Sequence, residues 1–324
     1  MSLAALAALT LTLAAQEEST LQKLEKEVSA VVEKLRCSVV RIQADQLSFS
    51  GVIYSPEGYV ITDASGLDHA REIKVSIGEK VYVAERLDAD RRTGVAVVKI
   101  AATGLKPASI CPDTCRPGTT ALLVGNSLGL PGSFSSGTIG GIGRSILVRG
   151  RKYENMLQMT GADVLPGDCG AIVADAAGHF IGLVHSAATP DPGGEEKSSP
   201  VLAFAVPAPW VKFSADRIIK NGHMVRGWLG ASLLPLTESV RTQLGLEPGV
   251  GAEVARVDRD SPAAKAGLAT RDILVAFGDE IVRDLEALQW KIARVETPTP
   301  IKLSFLHNRE LRQVEARIEL DPQK

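Results

Sequence analysis

A chain of 324 residues, 45% hydrophobic and 23% charged, has the balance of a folded globular protein and room for about two domains. Its formal net charge of -2 offers no basic excess to neutralise phosphates, which argues against nucleic acid as a partner. Four cysteines, Cys37, Cys111, Cys115 and Cys169, are too few to staple a chain of this length.

Residues 1–15 form an apolar run of Leu, Ala and Thr that ends just before Gln16-Glu17-Glu18. Its length suits the core of a signal peptide and is too short for a membrane span. The expected location is therefore secreted or periplasmic, with a soluble mature chain. Leu21, Leu24, Val28, Val31 and Leu35 follow at alternating spacings of three and four, so a helix is predicted over 17–37. Fewer than three heptads favours packing of that stripe on the chain's own core over a coiled-coil seam.

From residue 38 the texture changes to short β-branched runs near 39–42, 51–54, 59–62, 72–76, 81–84, 95–100, 120–124, 137–142, 171–174 and 180–184, punctuated by Gly and Pro. Many short strands at regular spacing predict a β-barrel or sandwich over 38–208. Within this region, Cys111-Pro-Asp-Thr-Cys115 either closes a small loop disulfide in an oxidising compartment or holds two loop cysteines without chemistry. No His-rich motif supports a zinc site, and neither a metal nor a cofactor is expected. The Pro-, Gly-, Glu- and Ser-rich stretch 189–200 reads as a solvated loop. A linker helix is predicted over 209–225, ending near Asn221-Gly222. The remainder, 226–320, reads as a small α+β module with helices near 262–266 and 284–293.

Ordered motifs then point to a family. Residues 48–67, through Thr62-Asp63-Ala64-Ser65-Gly66-Leu67, resemble the segment of HtrA proteases that runs into TNAHVV. Gly125-Asn126-Ser127-Leu128-Gly129-Leu130 is similar to their GNP-x-GL stretch, Pro166-Gly167-Asp168-Cys169-Gly170 to PGNSGG, and Phe204-Ala205-Val206-Pro207 to the closing FAIP. Arg226-Gly227-Trp228-Leu229-Gly230 and Ser261-Pro262-Ala263-Ala264-Lys265-Ala266-Gly267-Leu268 resemble blocks of the family's PDZ domain. The resemblance implies a mainly β chain: an N-terminal helix, a trypsin-like double β-barrel and a PDZ domain.

The same resemblance places Ser65 on the family's histidine, Gly94 on its aspartate and Cys169 on its serine. Serine-protease chemistry needs a nucleophile, an imidazole to take its proton and a carboxylate to orient the imidazole. Ser65 has no proton affinity near neutral pH and Gly94 has no side chain, so a degenerate, non-proteolytic member is expected. The backbone N–H groups of Gly167, Asp168 and Cys169 are expected to persist as a remnant oxyanion hole. The rival expectation makes Cys169 a nucleophile, as in picornavirus-type cysteine proteases, with His185 as its base and His69 as a less favourable one; His179 is placed in a turn, and His223 and His307 lie outside the barrel.

PDZ domains hold C-terminal peptide ends by strand addition. The resemblance assigns the carboxylate loop to Gly227, Trp228, Leu229 and Gly230, the pairing strand to 231–234, and the apolar pocket to Leu288 and Ile292 on the facing helix. The groove either takes such peptides or is filled by the chain's own linker or a neighbouring subunit. The functional expectation is an adaptor or chaperone-like binder of peptides and unfolded segments. Besides the Cys169 peptidase, the remaining alternative is a structural subunit of homo- or hetero-trimers with HtrA-like chains.

Overall fold

The structure is a computed structural model that describes residues 19–68, 70–111, 115–148, 150–188, 202–283 and 285–322. The expected signal peptide, the loop 189–200 and His69 lie outside the described residues. The chain divides into two compact units, 1–215 and 216–324.

The first unit opens with helix α1, Thr20–Arg36, three residues inside the predicted start. A capping box sets that start: Ser19 Oγ accepts the Gln22 N–H (3.2 Å) while Gln22 Oε1 accepts the Ser19 N–H (2.9 Å). Lys34 and Arg36 in the last turn complement the helix dipole. Of the predicted stripe, Leu35 is buried, Val28 and Val31 are half-buried and Leu21 and Leu24 stand exposed, while Val32, outside the stripe, is buried.

Six strands follow: β1 Val39–Ala44, β2 Leu47–Ile53, β3 Tyr59–Asp63, β4 Ile73–Ile77, β5 Lys80–Asp90 and β6 Val95–Ile100. They close into a barrel in the order β1-β2-β3-β6-β5-β4. Its interior is filled by aliphatic and aromatic side chains that include Ile42, Phe49, Val60, Leu67, Val75 and Val98. A second barrel is built from β7 Thr120–Gly125, β8 Ser133–Val148, β9 Arg151–Thr160, β10 Ile172–Ala174, β11 Phe180–Ala188 and β12 Leu202–Pro207. Leu123, Ile139, Leu157, Met159, Val173 and Ile181 fill it.

A buried polar network joins the two barrels. Ser50 Oγ donates to the Gly167 carbonyl (2.7 Å) and accepts the Asn126 N–H (2.9 Å), while Asn126 Nδ2 donates to the Val40 carbonyl (2.8 Å). Satisfied on every side, such a network fixes geometry rather than merely adding contact. Helix α2, Ala208–Asn221, leaves the second barrel, and its Ser214 donates to buried Asp90 (2.6 Å) on β5.

The second unit is a seven-stranded sheet in the order β13-β19-β18-β16-β15-β14, with β17 paired to β16. Its strands are β13 Gly227–Trp228, β14 Ala231–Pro235, β15 Ala252–Val257, β16 Ile273–Phe277, β17 Glu280–Ile281, β18 Thr299–His307 and β19 Glu310–Leu320. Helices α3 Glu238–Leu244, α4 Pro262–Lys265 and α5 Leu285–Arg294 accompany it. Ser261 caps α4 and Pro262 occupies its first turn, a favourable N-terminal pairing. Leu229, Val254, Leu268, Leu274, Leu288, Phe305 and Ile318 form its core.

Candidate functional site

The junction between the barrels brings together the end of β3, the β5–β6 turn, the turn before β10, and β11. Asp63 closes β3 and caps the 3-10 turn Ala64–Gly66: its Oδ1 accepts the Ser65 N–H (2.9 Å) and also the Ser65 hydroxyl. Its other oxygen, Oδ2, meets His185 Nδ1. An ionised carboxylate accepts only, so in that state Asp63 takes this hydrogen bond from the Nδ1–H tautomer of His185. Both side chains are withdrawn from solvent, Asp63 at 1% and His185 at 3% exposure.

His185 sits where the β11–β12 register shifts between Val184 and Ser186, a bulge of the kind that re-aims a side chain. Its ring lies 4.1 Å from the Tyr153 ring, centroid to centroid, tilted by 57°. Burial pushes the Tyr153 hydroxyl above the usual phenol range, opposed by a hydrogen bond from Arg151. Gly94 explains why the imidazole fits. Its φ is +79°, and a Cβ built there would lie 2.8 Å from His185 Cε1, 2.9 Å from Nδ1 and 3.3 Å from Tyr153 Cε1. The ring therefore fills the space that an aspartate at 94 would claim.

The expected rival base is thus found between the barrels, with a carboxylate at its Nδ1. His185 Nδ1 is held by Asp63, and Nε2 is buried without a hydrogen-bond partner, so no hydrogen bond runs from that nitrogen to the Cys169 sulfur. The nucleophile–base hydrogen bond that activates a side chain is not made through Nε2. Asp63 is the residue that reading the sequence missed. Its signal was the Asp of Thr62-Asp63-Ala64-Ser65 standing where the family motif carries Asn.

Cys169 is partly exposed in the turn that leads into β10. That turn is pinned on both sides: the Ser50 N–H donates to the Cys169 carbonyl (3.0 Å), and the Gly170 N–H to the Val184 carbonyl (2.8 Å). Asp168 corrects the expected three-amide oxyanion hole. Its N–H is spent on the Leu165 carbonyl (3.0 Å), closing the turn on itself. Its carboxylate accepts from Ser127 Oγ (2.8 and 2.9 Å) and from the Leu165 N–H (2.9 Å). Burial nevertheless dominates and raises the Asp168 carboxyl above the ordinary range, with those hydrogen bonds pulling the other way.

In the second unit, β14 lies at the end of the sheet, paired to β15 along one side only. Ala231 and Leu233 pack toward the core while Ser232 and Leu234 are exposed, the alternation of an edge strand. The expected carboxylate loop precedes it. Gly230 has a φ of +74° and lies so close to α4 that a Cβ would meet Ser261 Cβ at 2.1 Å. Leu229 turns inward at 2% exposure. Of the two expected pocket residues, Leu288 is a core side chain at 2% exposure, whereas Ile292 is only partly buried against that core. Gly227 runs against α5 so closely that a Cβ would sit 2.1 Å from the Ile292 carbonyl oxygen. Cys111 and Cys115 are both free thiols. Among the described residues, no group of three His, Cys, Asp or Glu side chains is arranged to hold a metal, and no helix is long and apolar enough to cross a membrane.

Comparison with known proteins agrees with both halves. The trypsin-like peptidase domain family matches residues 49–183 and the PDZ domain family residues 227–318. A probable periplasmic serine endoprotease, DegP-like, of Brucella suis is 31% identical over 277 residues, covering 84% of this chain and 52% of that one. The chain belongs to the HtrA family. An equivalent DegP-like protein of Chlamydia trachomatis is 33% identical over 267 residues, covering 82% and 52%. The chain therefore spans about half the length of these curated HtrA relatives. Among solved structures, the HtrA-type protease AlgW with tripeptide superposes with a TM-score of 0.79 at 29% identity, covering 91% of this chain and 98% of that one. The serine endoprotease from Yersinia pestis gives 0.68 at 25% identity, covering 90% and 97%.

Proposed function

We propose that this chain is a non-proteolytic HtrA-family protein that captures peptides or unfolded segments, acting as an adaptor or chaperone-like binder in a periplasmic or otherwise secreted setting. One observation carries the proposal: Ser65 and Gly94 stand at the family's base and acid positions, and His185, whose Nδ1 is held by Asp63, makes no hydrogen bond through Nε2. The nucleophile loop persists without a proton acceptor hydrogen-bonded to it through His185 Nε2. In serine proteases, loss of the base alone lowers turnover on the order of a millionfold.

Binding is assigned to the second unit. The open side of β14 offers backbone N–H and C=O groups to an added strand, and α5 packs beside it. Gly227, Trp228, Leu229 and Gly230 form the loop for the terminal carboxylate, and Ile292 with the deeper Leu288 forms the apolar floor. Support comes from the PDZ match and from AlgW, a structural neighbour solved with a tripeptide and a decapeptide.

The test pairs two measurements on the full chain. A fluorescent peptide with a free apolar C-terminus is expected to bind, and to lose binding when its terminus is amidated. A denaturing client protein is expected to scatter less light in the chain's presence. Equal affinity for the free and amidated peptides would remove the groove assignment, and unchanged scattering would remove the chaperone-like role.

The relatives are named serine endoproteases, which favours one rival, an active endopeptidase, whose nucleophile in this chain would be Cys169. A thiol-directed inhibitor and Cys169→Ala would each abolish casein cleavage in that case. The proposed reading expects no cleavage above the Cys169→Ala baseline.

A further inference from the structure

The outer face of the β14–β15 pair carries charges beside the open edge of β14. With a terminal carboxylate in the loop Gly227 to Gly230 as proposed, the peptide's last residue stands beside Ala231, where β14 begins, and the preceding ones beside Ser232, Leu233 and Leu234 in turn. The peptide then runs antiparallel to β14, on the side that β15 does not occupy. Side chains paired across two strands share a face. The last side chain therefore points inward with Ala231 and the third from last with Leu233, both packed toward the core. The penultimate side chain points outward with Ser232 and the fourth from last with Leu234, both exposed.

A bulge decides what stands behind Ser232. Leu234 pairs with Glu253 and Leu233 with Val254, and the register then shifts, so that Ser232 faces Arg256 rather than Ala255. The extra residue turns Arg256 outward, its side chain 70% exposed, and returns Val257 to the core. The short Ser232 side chain leaves the guanidinium open toward the free edge. An added strand lies two strand spacings from β15, about 10 Å, a gap that an extended arginine and an acidic side chain bridge together. One level along, Leu234 is backed by the half-buried Glu253, so an acidic residue there meets an apolar neighbour and a like charge.

We propose that Arg256 is a specificity-determining residue of the groove, selecting C-terminal peptides whose apolar last residue is preceded by Asp or Glu. The selection rests on strand addition at β14, and names the class of peptide that this edge prefers. Arg256 already meets Asp258 at 3.1 Å, so an incoming carboxylate shares the guanidinium with it. An exposed ion pair of this kind discriminates about two- to five-fold. The preference fades as salt screens it.

The experiment titrates the full chain at low salt with fluorescent peptides that end in Val and differ only in the penultimate residue, Glu, Ala or Lys, each with a free or an amidated terminus. Among the free peptides the expected order of affinity is Glu over Ala over Lys. Moving the Glu to the fourth position from the end removes the gain. In Arg256→Ala the three affinities converge, and in Arg256→Glu the order inverts to favour Lys. The series on the native chain needs no variant, so it is independent of any effect on folding. Equal affinities for the three free peptides, a preference for Lys, or an order that survives Arg256→Ala would overturn the selection while the groove stands. Indifference to amidation, or no binding of any peptide, would remove the groove and the selection with it.

Discussion

Gly94 and His185 form a matched pair of positions. A side chain at 94 meets two obstacles, a backbone held at φ +79° and an imidazole already within 3 Å of where its Cβ would go. Restoring the family carboxylate with Gly94→Asp is therefore expected to destabilise the first unit by at least about 1–3 kcal/mol from the backbone alone, without restoring cleavage. Urea denaturation measures the loss, and adding His185→Ser recovers the steric part; an unchanged midpoint for Gly94→Asp would contradict this packing. Asp168 gives a separate expectation in pH. Its folded pKa lies above the ordinary value of 3.8, so the folded state holds the proton more tightly than the unfolded chain. The stability it contributes is complete below 3.8 and is lost as pH rises through the raised value. Against Asp168→Asn, the native chain should thus lose relative stability on going from acid toward neutral pH. Unfolding free energies of both proteins across that range test it, and a constant difference would contradict the raised pKa.

At the scale of elements, Leu288 and Ile292 on α5 differ in burial, and the proposed binding role falls on the shallower of the two. Leu288 is enclosed by the core of the second unit, so Leu288→Ala should cost roughly 2–5 kcal/mol of that unit's stability. Ile292→Ala removes a partly buried side chain. It should weaken peptide binding with a smaller loss of stability, as read by peptide titration beside thermal melting; equal destabilisation by both would contradict the assigned burial. Sequence periodicity located α1, the linker helix and most strands of the barrels, because Ile, Val and Gly patterns are local. It did not find β9, whose Arg151-Lys152-Tyr153-Glu154-Asn155 start lacks a β-branched run and is held by long pairing with β8. Nor did the stripe on α1 reveal that Leu21 and Leu24 extend past the barrel, since periodicity gives a face and not what covers it.

For the whole molecule, two barrels joined by buried Ser50 and Asn126 keep the frame of a trypsin-like peptidase domain, and the proposed function turns on a rearrangement of the groups that would run its chemistry. The ordered motifs made the architecture legible, and the departures from them at Ser65, Gly94 and Cys169, from which the loss of proteolysis is proposed, stand in the residues alone. The pairing of His185 with Asp63 was not, because it joins positions 122 residues apart across the two barrels. The most direct measurement of the central claim is a single-turnover experiment, in which an unfolded polypeptide is incubated with excess protein and its mass is followed. The polypeptide is expected to be bound and recovered intact at all times. Fragments that accumulate with the native chain and vanish with Cys169→Ala would contradict the account.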